Sequence, residues 1–173
     1  MSFSQDVRQA LQNTILDKDQ SFSCLYGMLL YSRIFTSQRI CFQTESETVA
    51  AMFPKLIHTV FSFPLETVVL ERGRGALYSL SLQDEEHIAA ICSRYHIHLD
   101  DRQINLCNIV QNSMPAFFAG VFLICGSIMD PNKSYHLEFV TPTATLCNDL
   151  CIFLNQLLGI KGHILQRKQT FVL

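Results

Sequence analysis

The sequence contains a degenerate internal repeat, and this repeat constrains the fold more than any other feature. The stretch CLYGMLLYSRIF, residues 24–35, has the same layout as FFAGVFLICGSI, residues 117–128, with Gly27 aligned to Gly120. Each stretch predicts an apolar helix followed by a short hairpin, whose second strand ends in threonine. A pattern that recurs in this way indicates two copies of one supersecondary unit, which bury their apolar faces against each other.

A second helix follows at the same interval in both copies and carries the same apolar stripe. Apolar residues three and four positions apart are typical of a helix buried along one face. Each copy then ends in a hairpin, so that both read helix, hairpin, helix, hairpin. The matching residues are Val49, Phe53, Leu56 and Ile57 in the first copy and Leu146, Leu150, Phe153 and Leu154 in the second.

These patterns predict a single α+β domain over residues 1–173. Its repeats cover about 22–82 and 114–173, and a linker, 83–113, contains one helix over residues 84–95. A further helix is expected at about 4–16, where Ser2 and Gln5 have capping-box spacing. The second copy stops soon after its last strand begins, so we expect the chain to be part of a longer protein.

Glycine within an apolar helix costs stability relative to alanine, unless another backbone approaches closely. Small residues stand at matching places in the two copies, as Gly27 in the first and Ala119 with Gly120 in the second. We therefore predict that the two apolar helices form a central pair and touch at these residues.

The helix FFAGVFLICG resembles the LAGLIDADG helix of homing endonucleases, in which two such helices pair at a pseudo-two-fold axis below a saddle-shaped antiparallel sheet. The run AGVFLICGSIMDPNKSYHLEFVT, together with MSFSQDVRQAL and TESETVAAMF, is similar to WhiA. In that bacterial family a LAGLIDADG-like domain is followed by a helix-turn-helix domain. The resemblance implies this fold, DNA binding and transcriptional control of cell division, chromosome segregation and sporulation. The helix-turn-helix region has no counterpart in these residues.

The resemblance also places two metal-binding acids, one at the end of each central helix. In this chain those positions, here called the acid positions, hold Ser32 and Cys125. A hydroxyl and a thiol are poor ligands for the hard Mg²⁺ ion, so no metal site, no cofactor and no nuclease activity are expected. Histidines and a cysteine within residues 87–98 lack further zinc ligands at suitable spacing and are interpreted as surface residues.

The outward strand positions and hairpin ends could present a basic surface to DNA. Strand alternation predicts Ile40, Phe42, Tyr135, Leu137 and Phe139 inward, and Arg39, Cys41, Gln43, His136 and Glu138 outward. The predicted DNA-binding residues are Arg33, Arg39, Arg72, Arg74, Lys133, His136, Arg167 and Lys168.

Composition argues against strong electrostatic binding to DNA, since 15 acidic residues outnumber 13 basic ones and the net charge is −2. Seven scattered cysteines without a CxxC motif, and no export signal or membrane-length apolar run, predict a cytoplasmic protein without a membrane partner. The resemblance to WhiA implies that it is associated with the nucleoid. Two functions remain open. One is a DNA-binding regulator with a catalytically inactive nuclease-like domain. The other is a protein-interaction or ligand-sensing module that uses the same saddle surface.

Overall fold

In the computed structural model, two halves of similar architecture share one core. The structure describes residues 2–72 and 75–173, with residues 66, 71 and 72 described by their backbone alone. The helices are α1 (Phe3–Gln12), α2 (Lys18–Leu30), α3 (Glu47–Phe61), α4 (Glu85–Tyr95), α5 (Met114–Cys125) and α6 (Ala144–Leu158). The strands are β1 (Ile34–Phe35), β2 (Ile40–Thr44), β3 (Glu66–Arg72), β4 (Gly75–Leu82), β5 (Gly126–Ile128), β6 (Leu137–Thr141), β7 (Leu165–Arg167) and β8 (Thr170–Val172).

Each half forms one four-stranded sheet, and the two sheets have the same strand order. The first is ordered β1-β2-β4-β3 and the second β5-β6-β8-β7, with every described pairing antiparallel. The second helix of each half lies along its sheet with the predicted stripe turned to the core: Val49, Ile57, Leu146 and Leu150 have no exposed surface. The predicted α+β class and the predicted order of helix, hairpin, helix, hairpin in both halves are confirmed.

The two central helices, α2 and α5, are in backbone contact at their glycines. A Cβ atom added to Gly27 would lie 2.5 Å from the carbonyl oxygen of Phe117 and 3.0 Å from the amide nitrogen of Val121. One added to Gly120 would overlap the carbonyl oxygen of Cys24. Ala119 is buried beside this contact. The close approach of two backbones is the physical reason for glycine at both places.

Helix boundaries follow local capping more closely than the apolar pattern suggests. The helix α1 ends at Gln12, before the predicted position 16, and Leu16 is largely exposed. The helix α2 begins earlier than the predicted repeat, because the carboxylate of Asp17 accepts a hydrogen bond from the Gln20 amide. A membrane crossing needs a long and strongly apolar helix, and the described residues contain none.

Candidate functional site

The side chains at the two acid positions are turned back onto their own helices. Ser32 follows α2, is fully buried, and donates a hydrogen bond from Oγ to the carbonyl oxygen of Met28 at 2.9 Å. Cys125 ends α5, and its Sγ donates to the carbonyl oxygen of Val121 at 3.3 Å. Burial, and more weakly the nearby Cys147 thiol, raises the pKa of the Cys125 thiol, which is therefore neutral at physiological pH. Neither position offers an anionic ligand.

A buried arginine from the linker occupies the end of α2. Arg102 is 8% exposed, and its Nη1 donates to the carbonyl oxygens of Leu30 and Ser32, both at 2.8 Å. Its guanidinium carbon lies 5.3 Å from the centre of the Phe35 ring. The carbonyls that end a helix lack partners within that helix and carry partial negative charge, so a cation is stabilising here.

A second arginine, from α1, occupies the corresponding end of α5. The Nη2 of Arg8 donates to the carbonyl oxygen of Gly126 at 2.7 Å, and its guanidinium carbon lies 5.6 Å from the centre of the Phe122 ring. Burial lowers the pKa of both Arg8 and Arg102, yet an arginine remains protonated at neutral pH. Each central helix therefore ends against a cation rather than carrying a carboxylate.

Sequence reasoning missed both arginines, because no local pattern marks them. Arg102 lies in a polar part of the linker and Arg8 in a short amphipathic helix, and each meets carbonyls from a distant part of the chain. Within the described parts of the chain, no three histidine, cysteine, aspartate or glutamate side chains are grouped so that they could hold a metal ion. A divalent cation near these helix ends would face the positive charges of Arg102 and Arg8.

The outer face of the first sheet exposes apolar as well as polar side chains. Residues paired across strands share a face, so that Ile34, Cys41, Ser81 and Glu66 form one row and Gln43, Ser79 and Val68 the next. Ile34 and Val68 are exposed. Cys41 has the predicted outward register but is buried, since Arg39 lies over it with Nη2 at 3.6 Å from the thiol.

In the second sheet, a glutamate neutralises part of the predicted basic surface. Arg167 Nη1 lies 3.4 Å from Glu138 Oε1, and His136 Nε2 lies 3.3 Å from Glu138 Oε2. Arg167 and His136 are exposed and Glu138 is half-buried, so the ion pair is worth little stability. Its effect on DNA binding is larger, because a phosphate must compete with the glutamate for Arg167.

The other predicted DNA-binding residues whose side chains the structure describes lie at strand ends and turns. Arg33 precedes β1 and Arg39 precedes β2, whereas Lys133 and Lys168 lie in turns of the second half, and all four are exposed. Of the other two predicted DNA-binding residues, Arg74 lies outside the described residues, as does the side chain of Arg72.

Two residues predicted to point inward are exposed. Tyr135 is 93% exposed and Leu137 is 41% exposed, so the prediction was wrong for both. Strand alternation begins only at Leu137, where β6 starts, and Tyr135 belongs to the preceding turn. Alternation predicts burial only where helices cover the strand, as they do at Phe139.

The chain is similar in sequence to known proteins. Residues 114–173 match the family described as the WhiA LAGLIDADG-like domain. The chain is 30% identical to "Probable cell division protein WhiA" of Thermoanaerobacter pseudethanolicus, over 99% of this chain and 59% of that protein. It spans about 60% of the length of the curated relatives it matches.

Two solved structures show the same fold. Full-length DUF199/WhiA from Thermatoga maritima superposes with a TM-score of 0.73 at 19% identity, covering 99% of this chain and 56% of that one. The homing endonuclease I-WcaI, bound to its DNA recognition sequence, superposes with a TM-score of 0.53 at 12% identity, covering 99% of this chain and 86% of that one. The predicted resemblance to WhiA and to the homing-endonuclease fold is confirmed.

Proposed function

Starting from this similarity to WhiA, we propose that the protein is a DNA-binding regulator of bacterial cell division, with a part in chromosome segregation and sporulation control, whose nuclease-like domain does not cut DNA. The observation that carries the proposal is the state of the two acid positions. Ser32 and Cys125 bond back to their own helices, and Arg102 and Arg8 supply cations at the ends of those helices. A DNA-binding fold with this site can hold DNA without activating a metal-bound water. Such a protein acts in the cytoplasm at the nucleoid.

We expect no metal-dependent cleavage. Plasmid DNA incubated with the protein and Mg²⁺ or Mn²⁺ should remain supercoiled, because the acid positions hold Ser32 and Cys125 in place of a carboxylate pair. The nearest downstream acid, Asp130, already accepts hydrogen bonds from the backbone and side-chain nitrogens of Asn132. Specific nicking that disappears in Asp130→Asn would contradict the proposal.

DNA binding by this domain alone is expected to be weak and to involve few phosphates. The exposed cations are scattered, and Glu138 competes for Arg167. With three or four phosphates neutralised, the logarithm of the binding constant should fall with the logarithm of salt concentration with a slope of about −3. Fluorescence anisotropy of a labelled duplex over a salt series measures this slope.

The double variant Arg39→Ala, Lys133→Ala removes one exposed cation from each half of the saddle. It should flatten the slope by about two units, because each neutralised phosphate contributes about 0.9. Lys18→Ala, Arg94→Ala is the matched control, with the same change in charge at the opposite end of α2. No detectable binding at low salt, or equal slopes for the two double variants, would remove the DNA role from this domain.

The second candidate is a protein-interaction or ligand-sensing module, and the exposed apolar side chains on the outer face of the first sheet favour it. Ile34, Val68 and Leu70 are each more than two-fifths exposed on or beside this face. Apolar side chains gain from contact with a protein or an apolar ligand but contribute little against phosphates. Ile34→Lys distinguishes the two functions, since an added cation strengthens DNA binding and weakens an apolar contact.

A further inference from the structure

The second helices of the two halves, α3 and α6, correspond residue for residue at their C-terminal ends. Both are 15 residues long, and each is followed by a residue in the left-handed conformation, Ser62 after α3 and Gly159 after α6. These two residues are 97 positions apart, the same interval that separates the apolar stripes of the two helices. The ends of α3 and α6 can therefore be compared position by position.

In the first half, the linker helix α4 covers the end of α3. The centre of the Tyr95 ring lies 5.7 Å from that of Phe61, and the His87 ring stacks on Phe63 with 3.8 Å between the ring centres. Tyr95 is fully buried, and both phenylalanines are partly buried. The helix α4 thus completes the core of the first half.

In the second half, the corresponding end of α6 is exposed. Leu158 and Ile160 take the places of Phe61 and Phe63, and they are 58% and 43% exposed. The neighbouring Leu157 is 50% exposed. These three residues, here called the α6 patch, would gain free energy if an apolar surface covered them. Because repeated units bury their apolar faces against neighbours, the covered copy indicates what the exposed copy needs.

We propose that the α6 patch is the docking site of an amphipathic helix, the counterpart of α4, contributed by residues that follow β8 in a longer protein. The strand β8 has the place in its sheet that β4 has in the first sheet, and β4 leads directly into α4. A chain that continues from β8 therefore leaves the sheet beside the α6 patch. The curated relatives are long enough to supply this helix, since the chain spans about 60% of their length.

The strand register predicts where the helix begins. Thr44 pairs with Tyr78 in the first sheet, and Thr141, which is 97 positions after Thr44, pairs with Phe171 in the second. The helix α4 begins at Glu85, seven residues after Tyr78, so its counterpart should begin about seven residues after Phe171. Its apolar residues should recur three and four positions apart, as they do on the buried face of α4.

A helix of the same chain fits the α6 patch better than a separate partner does. A short tether keeps the helix at a high effective concentration beside the patch, so that modest apolar contacts are sufficient for docking. The docked helix also sets the direction in which the chain leaves this domain, and so orients any domain that follows. This proposal goes beyond the DNA-binding role and does not depend on it.

Melting temperatures of residues 1–173 and of the longer protein test the proposal. Leu158→Lys should change the melting temperature of residues 1–173 by less than about 1 °C, because the side chain is already exposed. In the longer protein the same substitution should lower the melting temperature of this domain by about 4 °C or more, because the lysine then lies under the docked helix.

Ile152→Lys is the matched control, on the same helix and with 51% exposure. Its counterpart in α3 is Lys55, which is exposed although α4 is present, so Ile152 should stay exposed in the longer protein as well. The control should shift the melting temperature by less than about 1 °C in both proteins. Phe61→Lys is the reference for a covered position and should lower the melting temperature of residues 1–173.

Equal shifts for Leu158→Lys in the two proteins overturn the proposal, and so does a longer protein that forms no helix after β8. A shift in residues 1–173 that grows with protein concentration would assign the α6 patch to a second copy and overturn it too. Circular dichroism of each variant checks that it is folded. None of these outcomes bears on DNA binding, which the salt series tests separately.

Discussion

Replacing Gly120 with alanine should destabilise the protein by about 2–3 kcal/mol or more, because the added methyl group meets backbone rather than a side chain that can move. Its Cβ would overlap the carbonyl oxygen of Cys24, so that α2 and α5 must separate. The gain in helix propensity from replacing glycine is about 1 kcal/mol at most and does not offset this cost. Gly27→Ala should also lower the free energy of unfolding, because its Cβ would meet the backbone of Phe117 and Val121. Urea denaturation gives the free energy of unfolding.

Gly162→Ala is the matched control for the central helices. Its Cβ would approach the Leu173 side chain, which can rotate away, and a loss below about 1 kcal/mol is expected. Equal unfolding free energies for Gly120→Ala and Gly162→Ala would show that the central helices do not touch at Gly120.

Replacing Arg102 with methionine should cost about 2–4 kcal/mol of unfolding free energy. The variant keeps much of the apolar volume but leaves the carbonyl oxygens of Leu30 and Ser32 buried without their shared donor. The loss of packing against Phe35 adds to this cost. Thermal and urea denaturation should both report the loss.

Arg167→Met provides the comparison for that experiment. It removes an arginine that is ion-paired to Glu138 and lies 61% exposed. Surface ion pairs are worth about 0–1 kcal/mol, so this variant should unfold close to wild type. If Arg102→Met were as stable as Arg167→Met, the hydrogen bonds at the end of α2 would not be structural.

Much of the fold could be predicted because it depends on patterns that are local and occur twice. Gly27 and Gly120 stand out within apolar helices, and the stripes that begin at Val49 and Leu146 have helical spacing. Because both copies read helix, hairpin, helix, hairpin, the strand order of one sheet predicts that of the other. The loss of acids at Ser32 and Cys125 is likewise visible in the sequence, once the resemblance aligns the helices.

Helix starts and strand faces were less predictable, because they depend on capping and coverage. Asp17 and Gln20 form a capping box that could have placed the start of α2 correctly. Tyr135 was read as the beginning of an alternating strand, yet its exposure depends on where helices cover the sheet. Strand alternation predicts the outward register of Cys41 but does not predict that the Arg39 side chain covers its thiol.

The sequence by itself determined the duplicated fold, the glycine contact between the central helices and the absence of carboxylates at the acid positions. Only the tertiary structure decided what replaces those carboxylates. Arg102 and Arg8 reach carbonyl groups that lie 72 and 118 positions away along the chain, from Leu30 and Gly126. The sequence around Arg102 and Arg8 does not indicate which helix end each side chain will contact. Backbone carbonyls are the same in every residue, so a contact that ends on them leaves no pattern in the sequence.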